Sequence, residues 1–161
     1  MNSVIPSELS LEQRHNQVAA ALERSEQLRR KGHYDQAISL LLDALQHGVD
    51  KAQIYYRLGN IYYDAGKLEH AEYVYRKVIT LDPLHINAHH NLGVVYRQQK
   101  RIAESIKMRR RANKLARQHP ERIKLNPQQV RYARRYARRM LFWGLALTAA
   151  FVLAIFLWLS R

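Results

Sequence analysis

The side chains best suited to chemistry in this 161-residue chain are its eight histidines and its many arginines. His85 and His89, with His90 beside them, stand at i, i+4 spacing, the separation at which one helix face can hold a metal ion. A zinc site needs further ligands, and neither an HExxH pattern nor a suitably placed carboxylate accompanies them. The histidines therefore read as exposed and packing side chains, and no metal or other cofactor is expected. Cysteine is absent, which removes thiolate nucleophiles, redox pairs and sulfur-based zinc sites. P-loop and dinucleotide fingerprints and a G-x-S-x-G elbow are missing, and six glycines provide no phosphate-cradling loop. With no catalytic residues to name, the chain reads as a non-enzyme.

The arginines point elsewhere. The formal charge is +14, but residues 1–96 carry 10 Lys/Arg against 11 Asp/Glu, while residues 97–161 carry 17 against 2. One basic run surrounds Arg109, Arg110 and Arg111. A second comprises Arg131, Arg134, Arg135, Arg138 and Arg139, whose spacing of 0, 3, 4, 7 and 8 gathers five guanidiniums on one helix face. Immediately after it, Leu141 to Leu159 reads LFWGLALTAAFVLAIFLWL without a charge. At about 1.5 Å per helical residue such a run matches the hydrocarbon thickness of a bilayer. Trp143 and Trp158 stand near its ends, where indoles prefer the headgroup level. A tail anchor is expected, with five arginines before it holding residues 1–140 in the cytoplasm. A bacterial inner membrane is the favoured location, with an organelle's outer membrane as the alternative. The same five arginines are candidates for contact with anionic lipid, at about 1 kcal/mol each near a membrane surface.

The elements that precede this tail repeat. At a period of 34, Ala37, Ala71 and Ser105 align, as do Ala44, Val78 and Ala112, and Leu28, Tyr62 and Tyr96. Arg24-Ser25, Leu58-Gly59 and Leu92-Gly93 fall in the same register, and Gly32, Gly66 and Lys100 fall at turns. Apolar positions at three- and four-residue spacing make each unit a pair of helices, with small residues at the aligned Ala positions for close approach. Tyr62, Tyr75 and Tyr96 would fill the space between hairpins. Ser10 and Gln13 form a capping-box signal, so a first helix is predicted from about Leu11 to about Arg30. Pro120 should end the last hairpin, and Asn126-Pro127 should start a new helix.

Tyr55, Leu58, Gly59, Tyr62, Ala71, Tyr75, Val78 and Pro83 resemble a tetratricopeptide (TPR) unit. The resemblance is closest in residues 52–85 and continues through Leu92, Gly93, Tyr96 and Ala112, with Arg109 in place of the usual aromatic. In residues 18–51 it rests mainly on the second helix, from Gly32 to Ala37. The expected fold is thus all-α: a TPR-type solenoid of three helical hairpins followed by a long juxtamembrane and transmembrane helix. The expected segments are a flexible arm (1–10), a TPR domain (11–119; repeats 18–51, 52–85 and 86–119) and a linker (120–126). A basic juxtamembrane helix (127–140) and a transmembrane helix (141–159) follow.

In that family the first helix of each hairpin lines a concave groove that takes an extended peptide or a partner helix. Carried onto this chain, the lining would include Glu26, Arg29 and Arg30, then Gln53, Tyr56, Asn60, Tyr63 and Asp64, then Asn87, His90, Val94 and Arg97. Asn can hydrogen-bond a peptide backbone in both directions, and Tyr offers broad contact at low entropic cost. Leu22, Glu26 and His90 depart from the carboxylate-clamping pattern of chaperone-binding members. The resemblance implies a membrane-tethered adaptor that recruits a protein partner. The alternatives are RNA or ribosome binding through the basic helix, and a homo-oligomer built on Ala146, Ala150 and Ala154 in the span. No RNA-reading motif accompanies the basic run, which counts against nucleic acid.

Overall fold

The structure is a computed structural model that describes residues 9–122, 138, 140–144 and 148. Residues 9–122 contain three helical hairpins: α1 (Leu11–Arg30) with α2 (Tyr34–Ala44), α3 (Lys51–Asp64) with α4 (Leu68–Leu81), and α5 (Ile86–Gln98) with α6 (Ile102–Gln118). Short 3-10 turns follow α2 at Leu45–His47 and α6 at Pro120–Arg122. No strand occurs among the described residues.

The local chemistry of each boundary explains why these helices start and stop. At α1 the Ser10 hydroxyl accepts from the Gln13 N–H (3.2 Å), and the Gln13 side chain accepts from the Ser10 N–H (2.9 Å), so both halves of the capping box form. The three intra-hairpin turns are copies of one another. Gly32, Gly66 and Lys100 all take positive φ, at 79°, 72° and 63°. At each, the next N–H reaches back to close the helix end: His33 to Leu28, Lys67 to Tyr62 and Arg101 to Tyr96. That is a Schellman closure with its left-handed residue, and only the third turn asks a side chain to adopt it.

Within each hairpin the small residues permit contact that larger ones would block. A Cβ on Gly59 would lie 2.5 Å from the Tyr75 ring, so the glycine is what admits the tyrosine between α3 and α4. A Cβ on Gly93 would lie 2.9 Å from Cγ of Arg109, and the buried Ser105 hydroxyl donates to the Gly93 carbonyl at 2.7 Å. In the first hairpin the register puts Ser25 at this position, fully buried, with its hydroxyl donating to the Leu22 carbonyl. The residue aligned with Tyr75 there is Leu41, also fully buried, and the smaller partner accommodates the larger Ser.

The core is continuous along the stack. Val18, Ala37, Leu41, Ile54, Leu58 and Ile61 form one buried group, and Ala71, Tyr75, Leu92, Val95 and Tyr96 form another. Tyr62 packs against both, and so joins the second hairpin to its neighbours.

Ile123–Arg161 forms a separate unit from Met1–Arg122. In it Arg138, residues 140–144 and Thr148 are helical and exposed. No helix among the described residues is long and apolar enough to cross a membrane. Most of the 141–159 run lies outside the described residues, as do residues 1–8, the Asn126-Pro127 helix start, Arg131, Arg134, Arg135 and Arg139.

Candidate protein-binding groove

The side chains expected to line a groove sit on α1, α3 and α5, and the structure links many of them across successive first helices. The recurring separation is 35 residues. Arg29 donates to Asp64, Asn91 to the Tyr56 hydroxyl (3.4 Å) and Gln98 to the Tyr63 hydroxyl (3.3 Å). His15 with Asp50 (2.7 Å) repeats the spacing at the start of α1. A 31-residue separation completes the lattice, through Arg57 with Glu26 (2.6 Å) and Asn91 with Asn60 (3.0 Å). One face of the stacked first helices is thus a polar surface tied together between hairpins.

Its middle is a network around Asn60. The Asn60 carbonyl oxygen accepts from the Tyr75 hydroxyl at 2.7 Å and from the Asn91 amide at 3.0 Å. Tyr75 is 1% exposed, and its burial pushes the phenol well above its ordinary pKa, so it remains a neutral donor. Tyr56 lies over this network, its ring 6.1 Å from Tyr75 and 4.7 Å from His85, and is half-buried. Asn60, expected to serve an incoming peptide with its whole amide, therefore commits its oxygen to the fold. Sequence reasoning missed Asn91, the donor that bridges Tyr56, Asn60 and Tyr75. The 35-residue interval between Tyr56 and Asn91, one more than the repeat period, was the available signal.

Toward α1 the surface is charged but neutralised. Glu26 binds Arg29 and Arg30 at 2.9 Å each as well as Arg57. The Arg29 hydrogen bond, helped by Arg30 and Arg57, holds the Glu26 carboxyl at about 2 against the burial that pushes it up. The same pairings, with Glu26 and then Asp64, push Arg29 upward.

Toward α6 the surface opens into a cavity of about 480 Å³ lined by His90, Gly93, Val94, Arg97, Gln98 and Arg109. Three of the expected lining residues, His90, Val94 and Arg97, are brought together here. Arg109, one period after Tyr75, joins them from the second helix. Gln53 and Asn87 are exposed near the starts of α3 and α5, outside both the network and the cavity.

The histidines have local roles. The His85 Nδ1 accepts from the Ala88 N–H at 3.1 Å, capping α5. The buried His89 places Nε2 3.0 Å from the Pro83 carbonyl. Among the described residues no group of three potential ligands is poised for a metal ion.

Two family models match the chain, one described as TPR repeat over residues 59–100 and one as tetratricopeptide repeat over residues 86–119. No curated protein sequence matches it. Among solved structures it is similar to the crystal structure of MamA protein, with 23% identity and a TM-score of 0.58, covering 68% of this chain and 59% of that one. An arginine-to-glutamate mutant of MamA gives 22% identity and a TM-score of 0.54, covering 61% of this chain and 72% of that one. Likeness at this identity concerns the fold alone. Residues 59–119 therefore carry tetratricopeptide repeats, and the three hairpins have the all-helical fold of a TPR solenoid.

Proposed function

We propose that this chain is a membrane-tethered, non-enzymatic adaptor whose first-helix groove holds a protein partner as an extended peptide or helix. The TPR fold supports a role in protein interaction. The observation that carries the groove assignment is the half-buried tyrosine surface of Tyr56 and Tyr63, whose hydroxyls accept from Asn91 and Gln98 of the next first helix. Preorganised aromatic side chains lose little entropy on binding, and such anchors carry a large share of interface energy. Tethering rests on the charge-free run 141–159 behind five arginines, which orients the hairpins to the cytoplasm and brings Arg131, Arg134, Arg135, Arg138 and Arg139 to anionic lipid. A bacterial inner membrane is the favoured location.

The competing reading, RNA or ribosome binding, draws on exposed Arg110, Arg111, Lys114 and Arg117 of α6. Affinity capture from detergent extracts of membranes separates the two. Tyr56→Ala and Tyr63→Ala should each weaken partner capture by about 1–3 kcal/mol while the helices still melt cooperatively. Removing residues 141–161 should release protein and partner together from the membrane pellet. Full capture by both tyrosine variants, with loss in an Arg110→Gln/Arg111→Gln variant, would assign binding to the basic helix instead.

A further inference from the structure

The cavity at the α5–α6 end of the groove differs from the rest of that surface in one respect: among the described residues its arginines have no carboxylate partner. Arg29, Arg57, Arg101 and Arg122 each hold a carboxylate. Among the described residues Arg97 and Arg109 hold none, although they line the same cavity with His90. The rest of the chain offers little remedy, because outside the described residues the only acidic side chain is Glu8, and none follows Glu121.

The sequence builds this cavity by one replacement. At the corresponding position of the second hairpin Tyr75 inserts beside Gly59, and its neutral hydroxyl completes the Asn60 network. In the third hairpin Arg109 stands there instead, with its Cγ close against Gly93. A charged head thereby replaces a buried phenol at the groove, and Val94 supplies apolar wall beside it. Two unpaired guanidiniums sharing one concave site repel each other, and a bound anion relieves that repulsion. Arg is also the side chain whose planar fork matches a carboxylate or phosphoryl group.

We propose that this cavity is the anion subsite of the groove and takes one acidic side chain of the bound peptide, fixing the peptide's register and direction. The proposal rests on the groove reading above and adds the chemistry of its ligand. A peptide-borne anion fits better than a nucleic-acid strand. A continuous polyanion following the groove would leave Arg97 and run past Asp64 and Glu26, whose arginines are already occupied.

The test uses the full chain in detergent micelles and pools of random dodecapeptides, one pool including phosphoserine. The wild type should select peptides with Asp or Glu, or phosphoserine if a phosphoryl group is the source, at one fixed position. Replacing that residue by Gln should weaken binding roughly tenfold, the size expected for a charged hydrogen bond. Arg97→Gln/Arg109→Gln should still select peptides but lose the acidic preference, and Arg109→Lys should restore part of it. Arg110→Gln/Lys114→Gln should keep it. Because the Arg109 stem packs on Gly93, Arg97→Gln alone carries the test if melts show that the double variant is unfolded. Peptides selected without a fixed acid, or an acidic preference that survives loss of Arg97, would overturn the subsite and leave the groove standing. Selection of no peptide would overturn both. Tighter binding of dodecauridylate than of any peptide, dependent on Arg97 and Arg109, would assign the cavity to nucleic acid and overturn the proposal.

Discussion

Glu26 shows how far a single side chain on the groove face is committed to the fold. Three arginines from two helices converge on its carboxylate, which is 17% exposed. Its folded pKa of about 2 lies below the ordinary 4.5, so the folded state binds the proton less readily than the unfolded chain. The stabilisation is complete above about pH 4.5 and is lost as the pH falls through about 2. Chemical denaturation of residues 1–122 across that window should show stability falling with acidification. Glu26→Gln should be less stable at pH 7 by about 1–3 kcal/mol and should show a shallower loss below pH 4.5. An unchanged slope would mean that other carboxylates dominate the acid response. Asn60 teaches a related lesson: its oxygen holds Tyr75 and Asn91, so truncating it affects packing as well as any ligand.

At the scale of elements, the hairpin turns provide the sharpest contrast. Lys100 adopts the left-handed conformation that glycine provides at positions 32 and 66. Lys100→Gly should therefore stabilise the protein by about 0.5–1 kcal/mol, the relief of a strained L-residue less the added freedom of the unfolded chain. Gly59→Ala should cost at least about 1–3 kcal/mol, because its Cβ meets the Tyr75 ring. Thermal melts of both variants check the pair of signs. These turns were legible in the sequence because a 34-residue period aligns Gly32, Gly66 and Lys100, and the capping box at Ser10 was legible from spacing alone. Helix periodicity and turn chemistry are local properties. The Asn91 bridge and the Arg97–Arg109 cavity were not read, because they depend on which side chains meet between hairpins. That register is fixed only when helices stack, through contacts such as Gly93 against Arg109. Arg109 itself was visible as a departure from the aromatic position, but spacing alone does not show that it meets Arg97 and His90 in one cavity.

At the scale of the molecule, three hairpins with a graded first-helix face precede, in the sequence, a basic and then apolar tail. Within residues 9–122 the groove runs from paired charges at α1, through tyrosines and amides at α3, to unpaired arginines at α5 and α6. Such a gradient would give a bound chain a direction, which a uniform apolar groove would not. In the proposed reading the tail supplies location and so raises the local concentration of anything at the same membrane. The central claim is that the first-helix face, rather than the basic α6, holds a protein partner. Photo-crosslinking in intact membranes tests it most directly, with a photoreactive residue placed at position 63 of the groove, at exposed Tyr73 of α4, or at Arg110 of α6. The account predicts one discrete polypeptide adduct from position 63, absent from position 73 and sensitive to Tyr56→Ala. Adducts to RNA or to a polypeptide from position 110, with none from position 63, would contradict it.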